Sequence, residues 1–314
     1  ENILELYKAG GGKSKKREEI LAQYDDLIEA QRVDPTKIYE ELYEFVKVND
    51  DPTIRTHATE NFDIVTAASK LGFVELRFIE NLPVTQAVFA YSRVSRYPNE
   101  AHLRCFPNTA STDGKFPVYV NTSETEAMLF RLDPGKVLTW LQINELLPGI
   151  DVDIMNDAQK KAWFINNLSE ISMFGEVEDN DSLTRHVYGL VHSYAHIVLR
   201  QMSLLSGFDQ NSLSEYLIPK ALTFIIYHNN RQAFNIGGMF TLFEHRLSDL
   251  FSRIRNFGDH CVYDPVCENQ GGACHSCIYV AEYSCQGYNQ NLSRNLLYGG
   301  PWLGKSNLKG YLEL

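Results

Sequence analysis

Five of the six cysteines fall between positions 261 and 285, and no other feature of the chain restricts its fold as strongly. The stretch contains Cys274-His275-Ser276-Cys277, a CxxC turn that Gly271 and Gly272 precede. A tetrahedral Zn²⁺ site needs a tight turn at each ligand pair, which CxxC supplies, and the glycines relieve backbone strain beside it. The candidate metal ligands are therefore Cys261, Cys267, Cys274, Cys277 and Cys285.

Five thiols exceed the four ligands that a closed structural zinc site needs, so one cysteine is spare or His275 replaces one of them. We expect four of the five to hold Zn²⁺ in a structural site, because four soft ligands leave no open position for water. Buried free thiols and disulfides are alternatives, although the start of the chain shows no signal-peptide pattern and an intracellular setting favours metal. A redox-active CxxC motif is a further alternative, but it normally opens a helix after a strand. The other cysteines close to this CxxC make a redox role less favoured here.

Size and composition indicate a soluble globular protein that acts in the cytoplasm. The chain has 314 residues, of which 44% are hydrophobic and 22% charged, and its formal net charge is -11. This acidic balance argues against a broad DNA-binding face, although it leaves room for a local basic patch. No run of about 18 apolar residues predicts a membrane span. The absence of an initiator methionine suggests that the chain is incomplete at its N-terminus.

Hydrophobic periodicity predicts an α+β fold with a mixed α/β region over 1–150 and a mostly helical region over 151–314. Alternating or continuous apolar residues predict strands over 73–78, 85–94, 118–120, 127–132 and 221–227. Helical spacing predicts helices over 18–48, 51–71, 157–173, 182–206, 212–218, 239–257 and 286–297, with another starting at Asp133-Pro134. Gly207 is the expected C-cap of the long helix over 182–206.

Other motifs point less clearly to chemistry. Gly12-Lys13-Ser14 lacks the upstream glycine of a phosphate-binding loop, so a flexible basic linker is the better interpretation. His192 and His196 share a helix face, but Ser193 stands where a zinc protease carries glutamate. The favoured interpretation is that these histidines, like His186, are core or interface residues satisfied by hydrogen bonds. We find no nucleotide loop, paired carboxylates or Ser-His-Asp signature.

A set of short stretches in the second half of the chain matches one known domain. They are His192–His196, Ser206–Phe208, Ser212–Ile218, Ala221–Tyr227, Gly237-Gly238, Cys261, Asp264–Cys267, Gly272–Cys277 and Glu282–Cys285 with Asn289. Through them the second half resembles the helicase-associated C-terminal zinc domain shared by the DrmB family of DISARM phage-defence systems and by MrfA-type repair helicases. The resemblance is strongest over about 185–297 and is weaker over Thr85–Val94 and Glu126–Leu132, where Ala90, Tyr91 and Ser92 depart from the family pattern.

The resemblance implies a non-catalytic, zinc-binding accessory subunit that associates with a helicase-like ATPase of the DrmA type. That partner would supply the ATP chemistry, and the pair would load on DNA to act against invading phage in bacteria. Two other functions stay open. One is a metal-dependent nuclease or hydrolase that uses His192, His196, His275 and acidic neighbours. The other is a DNA-binding module of a repair helicase complex, with basic residues at Lys13–Arg17, Arg93, Arg96, Arg253 and Arg255.

Overall fold

The computed structural model describes residues 64–88, 90–93, 102–106, 117–147, 152–171, 175–229 and 237–314. The basic segment at 13–17, the helices predicted over 18–48 and most of the one predicted over 51–71 lie outside these ranges. Helices and antiparallel sheets together confirm the α+β class. Within the described residues, no helix combines the length and the apolar character that a bilayer crossing needs.

A four-stranded antiparallel sheet forms one layer of the fold. Its strands in chain order are β1 (Phe73–Val88), β4 (Tyr119–Leu132), β5 (Leu213–Ile218) and β6 (Thr223–His228), and they lie side by side in the order β1-β4-β6-β5. A separate pair consists of β2 (Ala90–Arg93) and β3 (His102–Cys105). Because β4 pairs with β6, the sheet joins residues from both sides of position 150, where the sequence predicts a regional boundary.

Helices supply the second layer and the links between strands. In chain order they are α1 (Pro134–Ile143), α2 (Asp157–Asn167), α3 (Ser182–Ser206), α4 (Gly238–His245), α5 (Leu247–Phe257), α6 (Val266–Asn269) and α7 (Asn295–Tyr298). A helix over 64–70 precedes β1. A short hairpin of β7 (Gly300–Trp302) and β8 (Lys305–Leu308) lies near the end of the chain.

The long helix α3 packs on β5 and β6, and most of its residues are buried. Its first turn is capped by Asp181, whose side chain accepts a hydrogen bond from the N–H of Thr184 at 2.9 Å. Its last turn ends at Gly207, which takes the left-handed conformation at φ 77°. Both ends follow rules of capping, so the bounds predicted from the sequence, 182–206, are confirmed.

Gly189 lets a loop lie directly on this helix. A Cβ atom at position 189 would stand 2.7 Å from the carbonyl oxygen of Asn291 and 2.9 Å from Leu296 Cδ1. We expect Gly189→Ala to destabilise the fold by about 1–3 kcal/mol despite the better helix propensity of alanine, because backbone on the facing loop must move. Chemical denaturation measures this difference, and a stabilised Gly189→Ala chain would contradict the close approach.

Several predicted elements differ from the structure. The strand predicted over 85–94 is divided between β1 and β2, those predicted over 118–120 and 127–132 form one strand, β4, and the helix predicted over 239–257 is interrupted at Arg246. In place of the helix predicted over 212–218 the structure has the strand β5 at Leu213–Ile218, because pairing with β6 favours the extended backbone over helical spacing. The helix predicted over 286–297 is reduced to Asn295–Tyr298, and positive φ angles at Tyr288, Asn289 and Asn291 break it before that point. The helix predicted over 157–173 ends at Asn167, where the backbone becomes extended at Leu168.

Candidate metal centre

Four of the five clustered cysteines bring their sulfur atoms together. The Sγ atom of Cys274 lies 3.6 Å from those of Cys261 and Cys277, and the Sγ atoms of Cys267 and Cys277 are 3.8 Å apart. A tetrahedron of sulfurs, each about 2.3 Å from a central zinc ion, has edges of about 3.8 Å. The sulfur atoms are too far apart for disulfides, and all four cysteines are free thiols that could hold one metal ion.

Two pairs of ligands come from two short loops. Cys261 follows α5 and Cys267 lies in α6, whereas Cys274 and Cys277 flank the CxxC turn, whose Cys277 N–H donates to the Cys274 carbonyl at 3.2 Å. Between the pairs, Gly272 takes φ +66°, and its N–H donates to the carbonyl of Cys267 at 2.8 Å. A side chain there would meet Asn295 at 2.4 Å, so glycine is required at this turn.

The thiols of this cluster differ in acidity. Burial alone would raise the pKa of Cys274, but hydrogen bonds from the backbone N–H of Ser276 and from the Cys261 thiol lower it to about 7. Burial raises the pKa of Cys267 to about 11 and also raises the pKa of Cys277. A cation among the four sulfurs would therefore take the place of protons on at least two of them, which makes metal binding compete with protonation.

Arg200 attaches the cysteine-bearing loops of 261–277 to α3. Its guanidinium donates to the carbonyl of Ser276 at 2.9 Å and to the carbonyl of Tyr279 at 3.2 Å, so it holds the CxxC turn from the outside. Arg294 pairs with Asp264 on the other side of the loops, and the Arg294 N–H donates to the carbonyl of Gly272 at 3.0 Å. Asp264 thus has a structural partner.

Replacing Arg200 should loosen the CxxC turn. We expect Arg200→Leu to cost about 2–3 kcal/mol, because a charged donor is removed from two carbonyls while the aliphatic packing is kept. The result should appear as faster release of metal to a chelator, measured with a chromogenic indicator, together with a lower midpoint of unfolding. Arg185→Leu, on the same helix, is the control: Arg185 pairs with the exposed Asp179 and donates to Asn291 at 3.4 Å, outside the loops of 261–277, so release from the four-cysteine cluster should be unchanged.

The other two predicted metal ligands, His275 and Cys285, lie outside the four-cysteine cluster. His275 is exposed, and its ring packs edge-on against Tyr279 with centroids 5.2 Å apart, outside the sulfur cluster. Cys285 instead joins His192, His196 and Glu215 in a second group of potential metal ligands. All four residues of this group are buried. The five cysteines predicted as one set are therefore divided four to one.

The second group is compact. Its closest approaches are 3.0 Å between His192 Nε2 and Glu215 Oε1, 3.3 Å between His196 Nε2 and Glu215 Oε1, and 3.1 Å between His192 Nε2 and Cys285 Sγ. Burial lowers the pKa of His192. Burial raises the pKa of the Cys285 thiol, and the charge of Glu215 raises it further. For Glu215 itself, burial opposes ionisation, yet the neighbouring His196 and His192 lower its pKa overall.

Glu215 is the residue that sequence reasoning missed. The sequence predicts a helix over 212–218, whereas Glu215 lies on β5 opposite Ile226, with its carboxylate directed toward the histidines of α3. One signal was present in the sequence: a lone carboxylate in the apolar run Leu213–Ile218, which costs free energy to bury unless it is paired. The sequence favours hydrogen-bonded histidines at His192 and His196, and in the structure each ring bonds a carbonyl oxygen through Nδ1.

Comparison with curated proteins finds a relative that has a name. The chain is 30% identical over 135 residues to the DISARM protein DrmB of Bacillus paralicheniformis. The match covers 39% of this chain and only 24% of that protein. No protein-family model matches the chain. The resemblance to DrmB that the sequence indicates is thus confirmed by a relative of that name, and the chain spans only about a quarter of the relative's length.

Proposed function

We propose that this chain is a zinc-binding, non-catalytic accessory subunit that associates with a helicase-like ATPase on DNA in prokaryotic anti-phage defence. The observation that carries the proposal is the similarity to a DISARM protein DrmB, together with a group of four cysteines suited to a structural metal. It would act in the cytoplasm, where invading DNA is found. ATP hydrolysis and strand separation would belong to the partner.

Zinc is the metal that we propose for the four-cysteine cluster. Four thiolates at these separations suit a soft or borderline ion in tetrahedral geometry, and hard ions such as Mg²⁺ prefer oxygen ligands. Cys261, Cys267, Cys274 and Cys277 would fill all four positions, so the ion would hold two loops together and would activate no water. This is the behaviour expected of a scaffold rather than of an enzyme.

An acidic chain suits a subunit that reaches DNA through a partner. A net charge of -11 repels the phosphate backbone unless basic residues are concentrated on one surface. Of the arginines predicted as a local patch, Arg253 donates to Gln201 at 3.0 Å and lies over the ring of Phe257. That arginine therefore already has partners within its own chain, which favours indirect contact with DNA.

The test is reconstitution with the helicase-like ATPase of a DISARM system. We expect the full chain to co-elute with that ATPase in size-exclusion chromatography and to bind DNA in its presence. The chain alone should neither hydrolyse ATP nor bind DNA with a steep dependence on salt. Failure to co-elute would contradict the accessory role, and tight salt-dependent DNA binding by the chain alone would favour a DNA-binding module instead.

The hydrolase alternative is tested in the same preparation. It needs a metal-bound water that substrate can reach, whereas the side chains of His192, His196 and Glu215 have no solvent exposure. Metal-dependent cleavage of DNA by the chain alone, abolished in a folded His196→Ala variant, would favour an enzyme. We expect no cleavage in either protein.

A further inference from the structure

We propose that His192, His196, Glu215 and Cys285 bind a second metal ion, Zn²⁺, in a site separate from the four-cysteine cluster. The ligands come from three parts of the fold: two from α3, one from β5 and one from the loop that follows the CxxC turn. Their ligand atoms all lie within 4.8 Å of one another. A metal there would join the helix, the sheet and the cysteine-rich loops at one point.

The hydrogen bonds of the two histidines determine which nitrogen faces the site. His192 Nδ1 lies 2.8 Å from the carbonyl oxygen of Gln290, and His196 Nδ1 lies 2.8 Å from that of Ile278. A carbonyl oxygen can only accept, so each Nδ1 must carry the proton. In a neutral imidazole the Nε2 atom then presents a lone pair. Both lone pairs point into the group, and a carbonyl behind each ring is the usual support of a metal-bound histidine.

The centre of the group holds more acceptors than donors. The Glu215 carboxylate and two Nε2 lone pairs converge at 3.0–3.3 Å, and among the described residues no donor forms a hydrogen bond with His196 Nε2 or with Glu215 Oε2. Two backbone N–H groups donate to the ligand atoms, that of Gln286 to Glu215 Oε1 at 3.2 Å and that of Asn289 to Cys285 Sγ at 3.0 Å, and neither of them serves a histidine Nε2 atom. A buried group of acceptors is costly unless a cation occupies its centre.

Charge and ligand type favour a divalent zinc ion over protons alone. A carboxylate and a thiolate supply two negative charges, and all four side chains are buried, so a divalent cation would make the group neutral. Two nitrogens, one sulfur and one oxygen suit zinc, whereas a thiolate ligand disfavours Mg²⁺ and Ca²⁺. The separations between the ligand atoms approach the edge lengths of about 3.3–3.6 Å that a zinc tetrahedron with these nitrogen, sulfur and oxygen ligands would have. Four protein ligands leave no position for water, which makes this a structural site.

The two sites would support each other through one short segment. Cys277 belongs to the first cluster, and the carbonyl of the next residue, Ile278, orients His196 of the second. Asn289, whose N–H reaches Cys285, also bonds the N–H and the carbonyl of Val280 through its side chain. Metal at one site therefore fixes backbone that positions a ligand of the other.

Metal content of the full chain tests the proposal. The chain, purified under reducing conditions, reconstituted with Zn²⁺ and freed of excess metal, should contain two zinc ions by mass spectrometry. Loading with Co²⁺ should give two superimposed absorption spectra, one of an all-sulfur site and one of a mixed nitrogen, oxygen and sulfur site. One ion per chain with an all-sulfur spectrum would overturn the proposal, and this readout needs no variant to fold.

Variants assign the second ion. Glu215→Gln keeps the shape of the side chain but removes its charge, and we expect it to reduce the content from two ions to one and to leave only the all-sulfur spectrum. Glu126→Gln is the matched control: that carboxylate is also buried but caps α4, through bonds at 2.6 Å to Gly237 N and 3.2 Å to Met239 N. It should keep both ions, as should His186→Gln on the buried face of α3. A Glu215→Gln chain that keeps two ions would contradict the assignment.

Discussion

A chain with Cys277→Ser is expected to lose the metal ion of the four-cysteine cluster and to unfold across the loops that the ion joins. Cys277 is buried, and its sulfur lies within 3.8 Å of two other ligand sulfurs. Serine is a poor zinc ligand, and a structural zinc supplies about 10–16 kcal/mol in small zinc-dependent peptides. We expect the free energy of unfolding to fall by more than about 4 kcal/mol, a loss that few single substitutions reach.

His275→Ala is the matched control for this prediction. It changes the same CxxC turn, but the ring is exposed and contacts Tyr279 rather than a sulfur. The control should keep its metal, and its free energy of unfolding should lie within about 0.5 kcal/mol of that of the parent chain. Metal content and hydrogen exchange over 261–295 are the measurements. A Cys277→Ser chain with full metal content and native exchange protection would show that the cluster is not a metal site.

The same substitution should also weaken binding to the helicase-like ATPase, if the metal loops are part of the scaffold that we propose. Loss of partner binding in Cys277→Ser alone would not distinguish a damaged fold from a damaged surface. His275→Ala changes the exposed surface of the same turn, and we expect its fold to stay intact. Equal binding by His275→Ala and the parent, with loss in Cys277→Ser, would fit a metal-dependent scaffold.

The sequence predicts features that depend on neighbours along the chain. The long helix α3 has its caps, Asp181 and Gly207, next to its ends in the sequence, so its bounds can be derived from local rules. The strand predicted over 221–227 is confirmed as β6. Its continuous apolar run is typical of a strand buried on both faces, and this pattern can be recognised from neighbouring residues alone. The CxxC spacing likewise brings Cys274 and Cys277 to one side of a turn.

Features that depend on distant parts of the chain could not be derived in this way. Cys285 follows Cys277 by only eight positions, yet its sulfur lies 3.1 Å from His192, 93 residues away in sequence. Spacing alone cannot show this, because the direction of Cys285 is determined by the packing of its loop on α3. Glu215 was missed for the same reason, since strand pairing with β6 gives its position.

The largest effect that we expect outside the metal loops is at Phe130, in the middle of the sheet. Phe130→Ala should lower the free energy of unfolding by about 3–5 kcal/mol. The ring has no exposed surface, stacks on Phe224 of β6 with centroids 5.0 Å apart, and lies 5.3 Å from the ring of Phe73 on β1. Its loss would leave a cavity between the three strands and remove two aromatic pairs, each worth about 0.5–1.5 kcal/mol beyond the buried area.

Val120→Ala on the same strand is the control for Phe130. That side chain is 60% exposed, so its removal should change stability by less than about 0.5 kcal/mol. Because β6 also pairs with β5, the cavity should loosen the strand that holds Glu215, whereas the four-cysteine cluster lies on loops that the sheet does not supply. We therefore expect Phe130→Ala to release the ion proposed for the site of His192, His196, Glu215 and Cys285 to a chelator before the ion of the four-cysteine cluster. Release in the reverse order would show that the sheet does not position the site that contains Glu215.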